Sequence, residues 1–185
     1  MSKTVEQLTE TTTAEGVDLL HLIDVSASQD LKMKKANFHN SKPYASMYMS
    51  ANGTSTTVAA GSTYYNITTG GVTILLGQSN KFTYANGKMT YTGDEDIVVA
   101  IDLTLSATVS TTSSKAFFVI YINGVRYVRI ESGVFITTGS SNLSNVAANG
   151  FATLSKDDYV EVFLINSTGA HNILVGQLSC TIKQV

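Results

Sequence analysis

The 185-residue chain has one cysteine, one proline, few charges and no long apolar run. Each shortage excludes something. A single thiol, Cys180, cannot close an internal disulfide, so the core alone must hold the fold together. Cys180 sits in the apolar stretch 173–182 and is expected to be a small buried residue rather than a nucleophile. Charged residues make up 14% of the chain, against about a quarter in an average globular domain. The net charge is −2, and the only lysine cluster, Lys32, Lys34 and Lys35, fits the solvent face of a strand. Nucleic acid, which calls for a basic stripe, is therefore not an expected partner. No apolar run approaches the about 20 residues that cross a bilayer, so membrane insertion is not expected either. The first 13 residues are polar and threonine-rich, without the apolar core of a secretory signal. The expectation is a product that stays soluble in the cytoplasm where it is made.

Hydrophobic residues amount to 43%, enough for a folded domain with its own core. Threonine, serine and asparagine cover the surface in place of charges. Pro43 follows a polar stretch, 39–42, and fixes its own φ, so it would work as an elbow. It divides the chain into an arm, residues 1–42, and a C-terminal domain, residues 43–185. In the arm, residues 17–25 form a short apolar run, residues 26–30 a polar turn, and residues 31–38 a loosely alternating stretch. Two short strands, or one strand and an extended arm, are expected there. Two strands alone are marginal in water, so the arm needs a partner surface.

Downstream of Pro43 every signal is β. Valine, isoleucine, threonine and aromatic residues suit a pleated, half-buried surface. Asn-Gly, the strongest short hairpin signal, occurs at Asn52-Gly53, Asn86-Gly87, Asn123-Gly124 and Asn149-Gly150. The clearest hairpin runs from Ala116 through Asn123-Gly124 to Ile130, and a second turns at Asn86-Gly87. Residues 97–107 are continuously apolar in their first half and alternate in their second, which predicts a central strand buried deeply at one end. Residues 159–166 and 172–183 supply the last two strands. Roughly eight to ten strands at a spacing of about 8–12 residues indicate a sandwich or barrel.

The residues of chemistry are scattered. His21, His39 and His171 lie far apart, and none has a metal-type spacing. There is no Gly-x-Ser-x-Gly elbow and no phosphate-binding Walker loop. Asp94-Glu95-Asp96 could ligate calcium only if backbone carbonyls completed the shell. A solvated turn ahead of a buried strand accounts for it, and for Asp157-Asp158, more simply. No two carboxylates can be set across a cleft, as a glycosidase requires. The expectation is a protein without catalytic activity, cofactor or resident metal.

The order of features after Pro43 resembles the C1q/TNF-like jelly roll. Phe82-Thr83-Tyr84 with Met89-Thr90-Tyr91-Thr92 looks like the paired early strands of that family. Gly93-Asp94-Glu95-Asp96-Ile97-Val98-Val99 is similar to its central strand, and Phe117 to Gly124 to its hairpin ending in Asn-Gly. Residues 154–162 resemble its Leu-x-x-Gly-Asp-x-Val approach to the penultimate strand, with Asp157 where the family has glycine. The aromatic residue usual at the position of Ile97 is also missing. The resemblance implies an all-β, antiparallel jelly-roll sandwich preceded by a short extended β arm. It also implies a homotrimer about an apolar axis, with binding through loops or between subunits.

The arm resembles something else. Asp18-Leu19-Leu20-His21-Leu22-Ile23-Asp24-Val25, a turn, then residues 31–38 look like a segment near the start of many bacteriophage fibre and spike proteins. That segment anchors or orients the fibre on the virion. It implies that Leu19, Leu20, Leu22, Ile23, Val25, Leu31, Met33 and Phe38 attach the chain to other virion proteins through residues 1–40. The two resemblances together imply a virion structural protein: a trimeric head fibre, capsid spike or tail-tip protein. The alternative is a receptor-binding module that takes a host surface glycan through loop residues 139–149 and 62–66.

Overall fold

A computed structural model describes residues 19–24, 29–34, 42–139 and 142–185. The chain divides into two units, Met1–Ser41 and Lys42–Val185. In the first, strands β1 (Leu19–Asp24) and β2 (Gln29–Lys34) pair antiparallel, with Leu20 opposite Met33 and Leu22 opposite Leu31. The polar turn expected over 26–30 is shorter than the composition suggested, because Gln29 and Asp30 already pair with Asp24 and Ile23.

The second unit is all strand among its described residues: β3 (Tyr44–Met49), β4 (Tyr64–Asn66), β5 (Leu75–Asn80), β6 (Phe82–Ala85), β7 (Lys88–Tyr91), β8 (Ile97–Thr108), β9 (Ser114–Ile122), β10 (Val125–Ile136), β11 (Ser144–Leu154), β12 (Tyr159–Asn166) and β13 (Leu174–Gln184). These form two antiparallel sheets. One has the order β11-β8-β13-β3-β5, and the other β10-β9-β12-β7-β6 with β4 continuing along the edge of β12. Consecutive strands mostly fall in opposite sheets, which makes the sandwich a jelly roll. The strands outnumber the expected eight to ten, because the three-residue β4 and β5, which has no alternation of burial, carry no clear strand pattern.

The core lies between the sheets. Ile101, Leu103 and Cys180 from one meet Phe118, Ile120 and Leu164 from the other, all fully buried. Each such side chain contributes about 1.5–3 kcal/mol over its exposed state. Buried polar groups are mostly bonded. Asn166 Nδ2 donates to Ser114 Oγ and to the His171 carbonyl, and its Oδ1 accepts from the Thr168 N–H.

Three local expectations need correction. First, β8 alternates over its first half, where Val98 points outward, and is continuously buried from Leu105 to Thr108. The apolar run at its start therefore feeds both faces. Second, Asn149-Gly150 is not a turn; it pairs with Asp102 and Ile101 inside β11. A Cβ on Gly150 would stand 2.8 Å from Ile130 Cγ1, so the glycine serves close packing. Third, Asn52-Gly53 is no hairpin. Asn52 Oδ1 accepts from the Thr54 N–H and its Nδ2 donates to the Val175 carbonyl, tying a loop to β13. The other two Asn-Gly pairs behave as expected: Asn86, Gly87, Asn123 and Gly124 all have positive φ, the signature of a type I′ turn.

Candidate assembly surfaces

The strongest candidate is the outward face of the five-stranded sheet. Strand alternation sends Tyr44 and Tyr48 of β3, Val98 of β8 and Phe151 of β11 to solvent, and Leu75 of β5 lies opposite Tyr48. Phe151 on the edge strand β11 is 62% exposed, and Val98 on its neighbour β8 48%. Between them stand Thr104, Asn145, Ala147, Asn149, Ser179 and Thr181, all neutral. Among the described strand positions of this face only Asp102 and Lys183 carry charge. Two shallow grooves of about 510 and 560 Å³ cross the same face. The first runs along Tyr44, Ser46 and Lys183, and the second along Thr104, Ser106, Asn145 and Gln177.

The outward face of the other sheet is built differently, because its aromatic residues cover one another. Tyr121 of β9 stacks on Phe163 of β12 with centroids 3.9 Å apart and planes 19° from parallel. Tyr64 of β4 reaches to within 5.9 Å of the Tyr121 ring, and the Arg126 guanidinium lies 4.6 Å over the Tyr64 ring. Glu131 accepts two hydrogen bonds from Arg126, each 2.8 Å. Burial, then the Glu131 carboxylate, pushes the Tyr64 phenol above its usual pKa. Further along, Glu161 is buried; it accepts from Asn66 Nδ2 at 2.8 Å and lies 3.7 Å from Lys88 Nζ.

The acidic turn is anchored as well. Asp94 pairs with Lys156 Nζ at 2.6 Å, and that bond and charge hold its carboxyl below the usual range. Asp158 bonds the Ser155 N–H and Asn123 Nδ2. Asp157 has φ +69°, so the aspartate occupies the backbone conformation that glycine adopts freely. Cys180 is fully buried, and burial pushes its thiol up to about 12. Among the described residues no three His, Cys, Asp or Glu side chains gather as metal ligands, and no helix is long and apolar enough to cross a membrane.

Of the residues assigned to virion attachment, Leu19, Leu20, Leu22 and Ile23 fall on β1, and Leu31 and Met33 on β2. Val25 and Phe38 lie outside the described residues. Of the loop residues assigned to a glycan, Tyr64–Asn66 is strand β4, and residues 144–149 belong to β11, where Asn145 and Asn149 face outward. The aromatic character of the five-stranded sheet was not seen in the sequence. Tyr44, Tyr48 and Phe151 are separated by up to about a hundred residues, and only the register of β3, β13, β8 and β11 brings them to one face.

No protein-family model matches the chain, and no curated protein matches its sequence. Solved structures do. Murine APRIL at pH 5.0 aligns with a TM-score of 0.52 and 9% identity, covering 77% of this chain and 99% of its own. Murine APRIL at pH 8.5 aligns at 0.49 and 7%, covering 76% and 98%. The PRD1 vertex protein P5 aligns at 0.49 and 11%, covering 78% and 97%. At such identities the likeness concerns fold alone, and it agrees with the strand order: the chain carries a C1q/TNF-like antiparallel jelly roll.

Proposed function

We propose that this chain is a bacteriophage virion structural protein, a homotrimeric head fibre, capsid spike or tail-tip protein. It attaches to other virion proteins through its first forty or so residues and displays the jelly roll. The observation that carries the assembly is the open face of the five-stranded sheet, with Tyr44, Tyr48, Val98 and Phe151 exposed and two charges among neutral side chains. A surface depleted in charge and enriched in aromatic residues is what the centre of a protein interface requires. The likeness of residues 18–38 to a phage fibre segment supports the location on the virion. The reading assigns the chain no catalytic step.

Light scattering on the full chain tests the assembly: a mass of three chains is expected, and a monomer at micromolar concentration overturns it. Deleting residues 1–40 tests the attachment. The shortened chain should stay folded and oligomeric yet fail to join particles, and unimpaired incorporation would refute the assigned role of the arm.

The aromatic cluster of the other sheet favours a second reading, in which the head binds a host surface glycan. Rings such as Tyr121 and Phe163 can stack on sugar faces, while Arg126 and Glu131 offer directed hydrogen bonds. Binding on a glycan array that disappears with Tyr121→Ala would promote this reading, and its absence across bacterial glycans would retire it.

A further inference from the structure

The open face carries two charges of opposite sign, and within the protomer they do not pair. Asp102 of β8 lies opposite Thr181, and Lys183, two residues further along β13, lies opposite Ala100. Both are exposed, and neither side chain makes a hydrogen bond or ion pair among the described residues. Their neighbours on the face, Thr104, Asn149, Thr181, Tyr44 and Phe151, bring no competing charge.

Covering this face would take both groups out of water. An unpaired charge at a covered interface costs several kcal/mol, whereas a paired one can break even or better. Among the strand positions of this face the available counter-charge for each group is the other, while Lys42, just ahead of β3, lines the same groove as Lys183. A threefold interface joins one part of a face to a different part of the next copy, so two opposite charges at different positions complement each other by symmetry.

A second observation on the same face points outward too. Ser106 Oγ is buried, with the residue 6% exposed, and has no hydrogen-bond partner in the chain. It lines the 560 Å³ groove beside Gln177 and Asn145. A buried hydroxyl left unsatisfied is costly, and a second copy's amide or hydroxyl seated in the groove would be the nearest partner for it.

We propose that Asp102 of one protomer pairs with Lys183 of the next copy of this chain across the open face, and that this pair fixes the register of the oligomer. The inference rests on the homotrimer reading above. It goes beyond that reading by naming the contact that orients the copies, with Ser106, Asn145 and Gln177 as a neutral polar layer at the other end of the face.

The test uses the full chain with Asp102→Lys, Lys183→Asp and the double reversal, read by light scattering over a dilution series. Each single reversal brings like charges together and should raise the dissociation constant at least tenfold. The double reversal should restore assembly. Asp102→Asn and Lys183→Met, singly and together, provide the milder version: each single change weakens assembly by leaving one charge unpaired, and the pair together weakens it less than their sum. Circular dichroism checks that each protomer stays folded, as expected for exposed sites. Single reversals that assemble like the parent overturn the ion pair. So does a double reversal no better than the singles, and so does an effect on melting temperature alone with unchanged mass, which would indicate pairing within one chain. A parent chain that is itself monomeric fails the homotrimer reading instead, an outcome distinct from all of these.

Discussion

Replacing Asn123 tests whether a hairpin turn is also a tertiary clamp. Asn123 sits at φ +53° in the β9–β10 turn. Its Nδ2 donates to Asp158 Oδ1 at 2.6 Å, and its Oδ1 accepts from the Tyr159 N–H at 3.0 Å. Its own N–H donates to the Tyr159 carbonyl, a backbone bond that any residue there can keep. Asn123→Ala removes both side-chain bonds. At an exposed site these are worth about 1 kcal/mol each. It also places a Cβ-bearing residue without asparagine's local hydrogen bonding in the left-handed region, which costs about 1 kcal/mol more. The expected loss is about 3 kcal/mol. Asn123→Gly loses the same bonds but tolerates the φ, so about 2 kcal/mol is expected. For a chain of this size each kcal/mol lowers Tm by roughly 2–4 °C, giving drops of about 6–12 °C for alanine and about 4–8 °C for glycine. Thermal and urea unfolding at one fixed protein concentration are the assays, since assembly itself moves Tm. A loss below about 1 kcal/mol for alanine would refute the clamp. Equal losses for alanine and glycine would refute the backbone part of the reasoning.

The same logic applies with opposite sign at Asp157, whose φ is +69°. Asp157→Gly should leave stability unchanged or raise it by up to about 1 kcal/mol; a clear loss in urea titration would show that the aspartate side chain has a role of its own. For Cys180, the folded thiol is pushed up to about 12 from 9.0. The folded state therefore holds its proton where the unfolded chain releases it, so stability is intact below about pH 9 and falls as pH rises toward 12. A thiol reagent at pH 8 should label Cys180 only after denaturation, and fast labelling of the native chain would contradict the burial.

The arm and the jelly roll differ in how much their residues disclose. In the jelly roll, local chemistry marks several elements outright. Asn86-Gly87 and Asn123-Gly124 demand positive φ at both positions, and Tyr159–Asn166 is a strand because its β-branched and aromatic run suits little else. The same dipeptide misleads at Asn149-Gly150, because a glycine needed for a turn and a glycine needed for close packing against Ile130 read alike. In the arm, β1 and β2 could be expected from two short apolar runs, but what those runs attach to is a matter of partners.

By itself, then, the sequence determined the all-β class, two of the four Asn-Gly turns and the burial of the lone cysteine, since each follows from neighbours a few residues apart. Only the tertiary structure decided which side of β8 faces water, and that Tyr44, Tyr48, Val98 and Phe151 share a face with Asp102 and Lys183. A strand's side-chain period of two gives each residue a side but not a neighbour. Neighbours are set by register between strands far apart in the chain, and register is fixed by the core that all the strands build together.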